Sequence, residues 1–229
     1  MKKIALGLGL AVTCAVTALA TVGAKDRPAE LRLNQIQVLG THNSYSQGVD
    51  KHLLAMADAA IGPQLAIFTS RMSDGLTYRF PSLTAQLDAG VRSLELDINN
   101  DPEGGRYAHP AGYAALKAKG IADSEIEPRD ATDMDKPGLK VFHIANFDVR
   151  SSCNLFRTCL TQLRRWSDAH PNHAPIFILV EAKSDALPIF PGSTAPLKFD
   201  RAAFDEMDRT IFDVIGRDQM VTPDQVRGT

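Results

Sequence analysis

The chain has no excess of basic charge and no basic run: 25 Lys and Arg stand against 27 Asp and Glu in 229 residues. Its charge therefore argues against nucleic acid as a partner. Cysteine is scarce, with three in all, so no more than one intramolecular bridge can form. There is no internal repeat and no low-complexity tract. Beyond the first two dozen residues, no apolar run approaches transmembrane length.

Those first residues are different. Lys2 and Lys3 precede an apolar run over 4–20, and small residues recur at Ala18-Leu19-Ala20 and Val22-Gly23-Ala24. This is the pattern of a secretory signal peptide over 1–24, with cleavage after Ala20 or Ala24. The run is short for a membrane anchor, and Cys14 sits mid-run behind a threonine, which argues against lipid attachment. Removing Lys2 and Lys3 takes the formal charge from −2 to −4. The two remaining cysteines, Cys153 and Cys159, form an even, closely spaced pair, which in an exported chain reads as one disulfide. Two unpaired buried thiols are the alternative. The expected location is secreted or periplasmic, and about two hundred mature residues make one domain with a sizeable core.

Four segments are rich in Val, Ile, Leu or Phe and read as mostly buried strands: 35–40, 91–98 ("VRSLELDI"), 139–144 ("LKVFHI") and 175–183 ("PIFILVEAK"). Helical patterns lie between and after them. Residues 82–89 carry Ser82 at the N-cap and Gly90 past the end. Residues 154–169 place Leu155, Cys159, Leu163 and Trp166 along one side, and 204–215 repeats the helical period. The stretch 99–136 is polar and rich in Asp, Glu, Gly and Pro, and it reads as an irregular loop with one short helix near 114–119. Strands alternating with helices predict a parallel sheet of βα units.

The polar residues gather at one end of those strands. "IQVLGTHNSY" (36–45) runs from a core-like strand into Thr41, His42, Asn43 and Ser44. Glu95 and Asp97 end the second strand, His143 the third, and Glu181 with Lys183 the fourth. In a parallel βα sheet the C-terminal strand ends share one face, where βα barrels build their active sites. Residues two apart on a strand point the same way, so Glu95 pairs with Asp97 and Glu181 with Lys183. Three carboxylates beside an Asn carbonyl make an all-oxygen cluster suited to calcium or magnesium; zinc would want more His or Cys. Taken singly, a Glu-x-Asp pair is more often a solvated edge, and a lone His in "VFHI" more often a satisfied core residue. The joint pattern on four successive strands points to a site.

Two other signals carry less. "DINNDPEGG" from Asp97 has Pro102 where a calcium loop needs its sixth-position Gly and Ala108 where it needs its Glu. His170 and His173 flank Pro171, which breaks a helix, so a loop or cap role is expected of them.

"GTHNSY", "SLELDI", "VFHI" and "ILVEAK", in this order, resemble the calcium-dependent phosphoinositide-specific phospholipases C, and most nearly the secreted bacterial group. The stretch 151–178 is similar to that group too. The resemblance runs from about Gln35 to Lys183 and extends toward Arg227. It implies a TIM-type (β/α)8 barrel, with His42 and His143 as catalytic histidines, Asn43, Glu95, Asp97 and Glu181 as ligands of Ca2+, and Lys183 near a substrate phosphate. It implies cleavage of an inositol phospholipid at a membrane surface by its own 2-hydroxyl, giving diacylglycerol and a cyclic inositol phosphate. Glu95 or Glu181 would accept the hydroxyl proton, and His143 would protonate the departing alkoxide. His42 would stabilise the transition state. Apart from Lys183, Arg92 and Lys140, few basic residues lie near the motifs, and no protein partner is implied.

Two other functions fit the same residues. A glycerophosphodiester phosphodiesterase on this fold uses two histidines and a Glu-x-Asp pair, but begins with His-Arg-Gly where this chain has His42-Asn43-Ser44. A secreted, catalytically inactive headgroup-binding protein would be expected to lack one of the histidines. A (β/α)8 barrel typically has ~250 residues. Four strands are used here by Lys183, and the rest holds one helix and at most a short strand near 219–222. The expectation is the first half of a barrel, an open parallel sheet incomplete at its C-terminal side.

Overall fold

The structure, a computed structural model, describes residues 32–65 and 71–228, without side chains for 61–65. The expected signal peptide lies outside the described residues. Residues 1–37 and 38–229 form separate units. The described part of the first is a 3₁₀ turn, Leu33–Gln35, where the Arg32 N–H donates to Gln35 Oε1 at 2.9 Å. The second runs in order α1 (Lys51–Leu65), α2 (Met72–Leu76), α3 (Leu83–Asp88), β1 (Ser93–Asn99), α4 (Ala111–Ala118), β2 (Lys140–Val141), α5 (Phe156–Ala169), β3 (Phe177–Lys183), α6 (Arg201–Ile215) and α7 (Pro223–Arg227).

The helices begin where short polar side chains can take up free backbone donors. Asp50 Oδ1 accepts from the N–H groups of His52 (2.8 Å) and Leu53 (3.3 Å) ahead of α1. Ser82 Oγ caps α3 by accepting from the Ala85 N–H, and Asp200 Oδ1 caps α6 by accepting from the Ala203 N–H. Gly90, just past α3, sits at φ 98°, a left-handed turn that a residue with a Cβ resists. Cys153 and Cys159 are joined in a disulfide that ties the first turn of α5 to the chain before it.

Strand alternation places the core. Leu94, Leu96 and Ile98 of β1 are fully buried against Leu83 and Leu87 of α3 and Phe156, Cys159, Leu160, Leu163 and Trp166 of α5. Ile178, Val180 and Ala182 of β3 join the same cluster, with α6 packed behind through Met207, Ile211 and Val214. Each fully buried side chain of this size contributes about 1.5–3 kcal/mol. The alternate residues, Glu95, Asp97 and Asn99 on β1 with Glu181 and Lys183 on β3, therefore share the other face.

The sheet has three strands in the order β2-β1-β3 and is open; no closed barrel is present among the described residues. β1 and β3 are parallel, with Asp97 opposite Glu181 and Asn99 opposite Lys183. The expected strand over 35–40 is replaced by a single parallel bridge between Gly40 and Ser93. The chain stays hydrogen-bonded to β1 through Thr41 and Ser44, while Asn43, at a left-handed φ of 49°, bends it out of strand geometry. A Cβ at Gly40 would come within 2.9 Å of Ser93 Cβ, so glycine permits the approach.

The expected parallel strand over 139–144 is likewise corrected. Only Lys140 and Val141 pair with β1, and they run antiparallel, Val141 opposite Ile98. Their other side is taken by the following chain, where the Val141 N–H donates to Asn154 O and the Phe156 N–H to Leu139 O. The antiparallel direction carries Phe142 and His143 back along β1 toward Asp97.

Residues 99–136 are not a loose polar loop. Tyr107, Leu116 and Met134 are buried, and α4 starts three residues before the expected helix. Lys140, wholly buried, lies 3.6 Å from the equally buried Asp101 and donates to Asp133 O at 3.0 Å and to Lys136 O. Near the end of the chain, a 3₁₀ turn (Arg217–Gln219) and α7 stand where a short strand over 219–222 was expected. Among the described residues, no helix is long and apolar enough to cross a membrane.

Candidate active site

The polar run that ends the first segment is fastened to β1 group by group. The Ser44 N–H donates to Glu95 O at 3.1 Å, and Ser44 Oγ accepts from the Glu95 N–H at 2.8 Å. Gln86 on α3 donates through Nε2 to Ser44 O, and its Oε1 accepts from Thr41 Oγ1. Ser44 Oγ thus satisfies a buried backbone donor of β1 and the Thr41 hydroxyl is taken up by Gln86, leaving His42 and Asn43 at the apex.

At that apex the Asn43 N–H donates to Glu95 Oε2 at 2.8 Å, and His42 Nε2 lies 3.4 Å from the same oxygen. The Asn43 amide is gripped by two tyrosines. Tyr45 OH donates to its Oδ1 at 3.0 Å, and its Nδ2 donates to Tyr78 OH. One lone pair of that Oδ1 remains for a further partner. The Tyr78 ring stands 5.9 Å from the His42 ring.

Glu95, Asp97 and Glu181 each offer an oxygen within 4.8 Å of the others. Asp97 is fully buried, and neither of its carboxylate oxygens has a hydrogen-bond partner of normal geometry. The Lys183 ammonium supplies local charge balance, 3.0 Å from Glu181 Oε1 and 3.5 Å from Asp97 Oδ2. Burial pushes the Asp97 carboxyl above its ordinary pKa; Lys183 opposes this, Glu181 reinforces it, and His143 opposes it. Burial also works against the Lys183 ammonium, but its bonds to Glu181 and Asp97 prevail and raise its pKa. A buried carboxylate whose cation, Lys183, stands 3.5 Å away, flanked by two more carboxylates, is a set of hard oxygen ligands with one positive charge among three negative ones. It fits a hard divalent cation.

His143 lies on a tight turn after β2, with its side chain 18% exposed. Its Nδ1 is 2.9 Å from Oδ2 of Asp148, which is 3% exposed. Tyr45 is buried, and burial, with Asp97 and Asp148 adding, keeps its phenol protonated. Tyr78 is pushed up to about 12, first by burial and then by the nearby carboxylates, against the Asn43 bond that lowers it.

The two histidine loops are joined directly. Ser46 bridges Ser151 antiparallel, the Gln47 N–H donates to Arg150 O, and the Ser152 N–H donates to Tyr45 O. The other two basic residues are committed elsewhere. Arg92 donates through Nη1 to Leu87 O and Val91 O and lies over Trp166, at the far end of β1, while Lys140 is held by Asp101. Neither can meet a headgroup phosphate here. His170 and His173 bond to Trp166 O and Ser167 Oγ at the end of α5, a capping role.

Sequence reasoning passed over Tyr45, Tyr78, Gln86 and Asp148. Tyr45 ends the motif "THNSY", and an acid five residues after His143 was a signal that could have drawn attention. Tyr78 and Gln86 lie outside every motif and are brought in by the packing of α3 and the chain before it.

The family model for Ca2+-dependent phosphoinositide phospholipase C matches residues 31–229. No curated protein matches the chain. Among solved structures it is similar to a calcium-dependent phosphoinositol-specific phospholipase C from the Gram-negative bacterium Pseudomonas sp. In the apo form of that enzyme, identity is 19%, 63% of this chain and 38% of that chain are covered, and the TM-score is 0.38. For its myoinositol complex the values are 18%, 63%, 39% and 0.37. The chain thus spans about two-fifths of the length of the solved structures it matches. On the family match across residues 31–229, the chain belongs to the Ca2+-dependent phosphoinositide phospholipase C family.

Proposed function

We propose that the chain carries the metal-binding and acid–base part of a calcium-dependent phospholipase C that cleaves inositol phospholipids at a membrane surface. The observation that carries this reading is the convergence of Glu95, Asp97 and Glu181 within 4.8 Å, with His42 3.4 Å from one of them. Held by these three carboxylates and Asn43 Oδ1, a calcium ion would lower the pKa of the inositol 2-hydroxyl and offset charge developing on the phosphoryl oxygens.

The chain's own residues do the rest. Glu95 or Glu181 accepts the 2-hydroxyl proton as that oxygen attacks phosphorus. His42, with 71% of its side chain exposed and Glu95 beneath it, stabilises the charge on the phosphoryl group. His143 gives a proton to the diacylglycerol oxygen as its bond to phosphorus breaks. Lys183, on the same face as the carboxylates, lies near the substrate phosphate. The products are diacylglycerol and a cyclic inositol phosphate.

The same reading extends to architecture. The parallel pair β1 and β3 is the part of a TIM-type (β/α)8 barrel that this first half supplies, with the antiparallel β2 at its other edge. Phe177 and Leu179 of β3, and Leu39 beside β1, expose 39%, 60% and 67% of their surface, as an unfinished barrel interior would. Residues 1–24 direct export.

The test is calcium-dependent release of inositol phosphate from phosphatidylinositol vesicles, with a chelator control and deacylated glycerophosphoinositol as a second substrate. Calcium-dependent release from the lipid supports the proposal. Full activity in excess chelator, or release of glycerol phosphate from the deacylated substrate alone, overturns it.

A further inference from the structure

We propose that the segment 99–136 acts as a brace on the candidate site, with Arg150 and Glu127 as positioning residues; this rests on the function proposed above. Three stretches of chain meet at the Arg150 guanidinium. Its Nη1 donates to Glu127 Oε2 at 2.6 Å and to Gly48 O at 3.2 Å, and its Nε donates to Pro128 O at 3.1 Å. Gly48 lies at the end of the loop that carries His42 and Asn43. Arg150 follows the turn that carries His143, and 127–128 belong to the segment between β1 and β2. The Arg150 side chain is 11% exposed, against 64% for Arg79, which reaches the same Glu127 oxygen at 3.3 Å. The Arg150 contact is therefore the one that solvent screens less.

The brace is stiff because it has packing of its own. Ile126 packs on the cluster of α1 and α4, Tyr107 and Met134 are buried beside Phe142, and the Glu127 N–H donates to Asp50 Oδ2 at 2.7 Å. It grips the His143 turn at a second point. The Gly112 N–H donates to Asn146 O at 3.0 Å and the Ala111 N–H to Asn146 Oδ1 at 3.3 Å. The stretch from His143 to Arg150 is thus held near its middle by α4 and at its end by Glu127 and Pro128. The carboxylate cluster has different supports. Glu95, Asp97 and Glu181 stand on paired strands, and Asn43 is tied to Glu95. Loosening the Arg150 junction should therefore move His143 relative to the cluster and leave the cluster intact.

The junction needs an arginine rather than any cation. Its planar fork sends its N–H groups in fixed directions, to Pro128 from Nε and to Glu127 and Gly48 from Nη1. A lysine ammonium is a point charge on a flexible stem. Glu127 and Arg150 act through one contact, so removing either should cost about what removing both costs. A displaced His143 should lower turnover without changing how the lipid is bound.

The test compares the parent chain with Glu127→Ala, Arg150→Lys and the double variant. Lys117→Ala, which opens an exposed ion pair with Asp123 in the same segment, is the control. On phosphatidylinositol vesicles, kcat should fall at least about 10-fold in each single variant, with KM within about twofold. The double variant should lose no more than about twofold beyond that, and Lys117→Ala should match the parent. Calcium titrations without substrate should give every variant a dissociation constant within about twofold of the parent's. Amide hydrogen exchange should speed up at His143, Ile144 and Asp148, whose N–H groups are bonded within the turn, and not in β1. Losses that multiply in the double variant, an equal loss in Lys117→Ala, or turnover within about twofold of the parent in either single variant would overturn the proposal. So would calcium binding weakened about tenfold, or exchange raised in β1 as much as in the turn. If the parent chain turns over no lipid, the function proposed above fails, and hydrogen exchange alone decides whether 99–136 braces the turn.

Discussion

Replacing Asp97 by Asn separates what the site costs the fold from what it gives the reaction. Asp97 is fully buried, its oxygens lack normal hydrogen-bond donors, and Glu181 lies directly opposite on β3. An unsatisfied buried polar group costs about 1–3 kcal/mol, and more when it is charged. Asn keeps the shape and drops the charge but stays polar. What is relieved is the extra cost of a buried charge beside Glu181, less the attraction of Lys183 at 3.5 Å. The calcium-free protein should gain on the order of 1 kcal/mol, or about 2–4 °C in Tm for a chain of this size. The gain should depend on pH. Burial raises the folded-state pKa of Asp97 above its ordinary 3.8. A group raised in this way contributes stability that is complete below the unfolded value and is lost as pH rises through the folded one. The advantage of the Asn variant should therefore vanish in acid and grow as pH climbs through the folded pKa. Calcium reverses the order. At about 100 times its dissociation constant, a ligand that binds only the folded state adds about 2.7 kcal/mol, and the variant should forgo most of it. Thermal unfolding followed by circular dichroism, in chelator and in calcium, reads all three effects. An Asn variant that is less stable than the parent in chelator, or that keeps the full calcium shift, would refute the reasoning.

Three further predictions follow from other parts of the site and its supports. His42→Ala and His143→Ala should each lower turnover on phosphatidylinositol by at least about 100-fold, but a nitrophenyl leaving group should restore much of the His143→Ala loss and none of the His42→Ala loss. Equal losses on both esters would contradict the division of roles. Lys140→Met should destabilise the fold by about 3–5 kcal/mol in urea titrations, because it leaves Asp101 buried without its cation; a change below ~1 kcal/mol would show the pair to be dispensable. Reducing the Cys153–Cys159 disulfide should lower Tm and, through the adjoining 150–152 segment, reduce activity as well; a reduced protein with both unchanged would detach the bridge from the site.

Much of this arrangement was legible because two periodicities carry it. The alternation Leu94, Leu96, Ile98 against Glu95 and Asp97 decided which β1 residues face α3 and α5 and which face the carboxylate cluster, and its counterpart on β3 did the same for Glu181 and Lys183. Ser82 and Gly90 bracketed α3 because capping is local chemistry. Strand direction is not local, which is why β2 reads the same from sequence whether parallel or antiparallel. The segment before Gly40 has strand composition, yet it makes a single bridge to β1, at Gly40, and the left-handed turn at Asn43 ends strand geometry soon after. Residues 99–136 read as solvated because their charges are many, but Lys140 neutralises Asp101 in the interior while Tyr107 and Met134 pack beside them. α1 was missed because its apolar residues do not confine themselves to one face. Asp148 was missed because its bond to His143 exists only once the intervening turn has closed.

The pairing of residues 45–47 with 150–152 also bears on the order in which the molecule folds. Gly48 and Arg150, which share a hydrogen bond across this junction, are 102 residues apart. Closing so long a span costs chain entropy before any contact repays it, so pairings of this kind form slowly. During synthesis the loop bearing His42 and Asn43 can bond to Phe80 through Ser46 and Gln47, but its pairing with 150–152 must wait until the chain beyond Asp148 has been made. The helix that follows then closes the Cys153–Cys159 link at the end of the same segment. The two histidine loops are thus joined late, and a chain stopped short of Ser152 would keep His42 and Asn43 tied to β1 but would lack their link to the His143 turn.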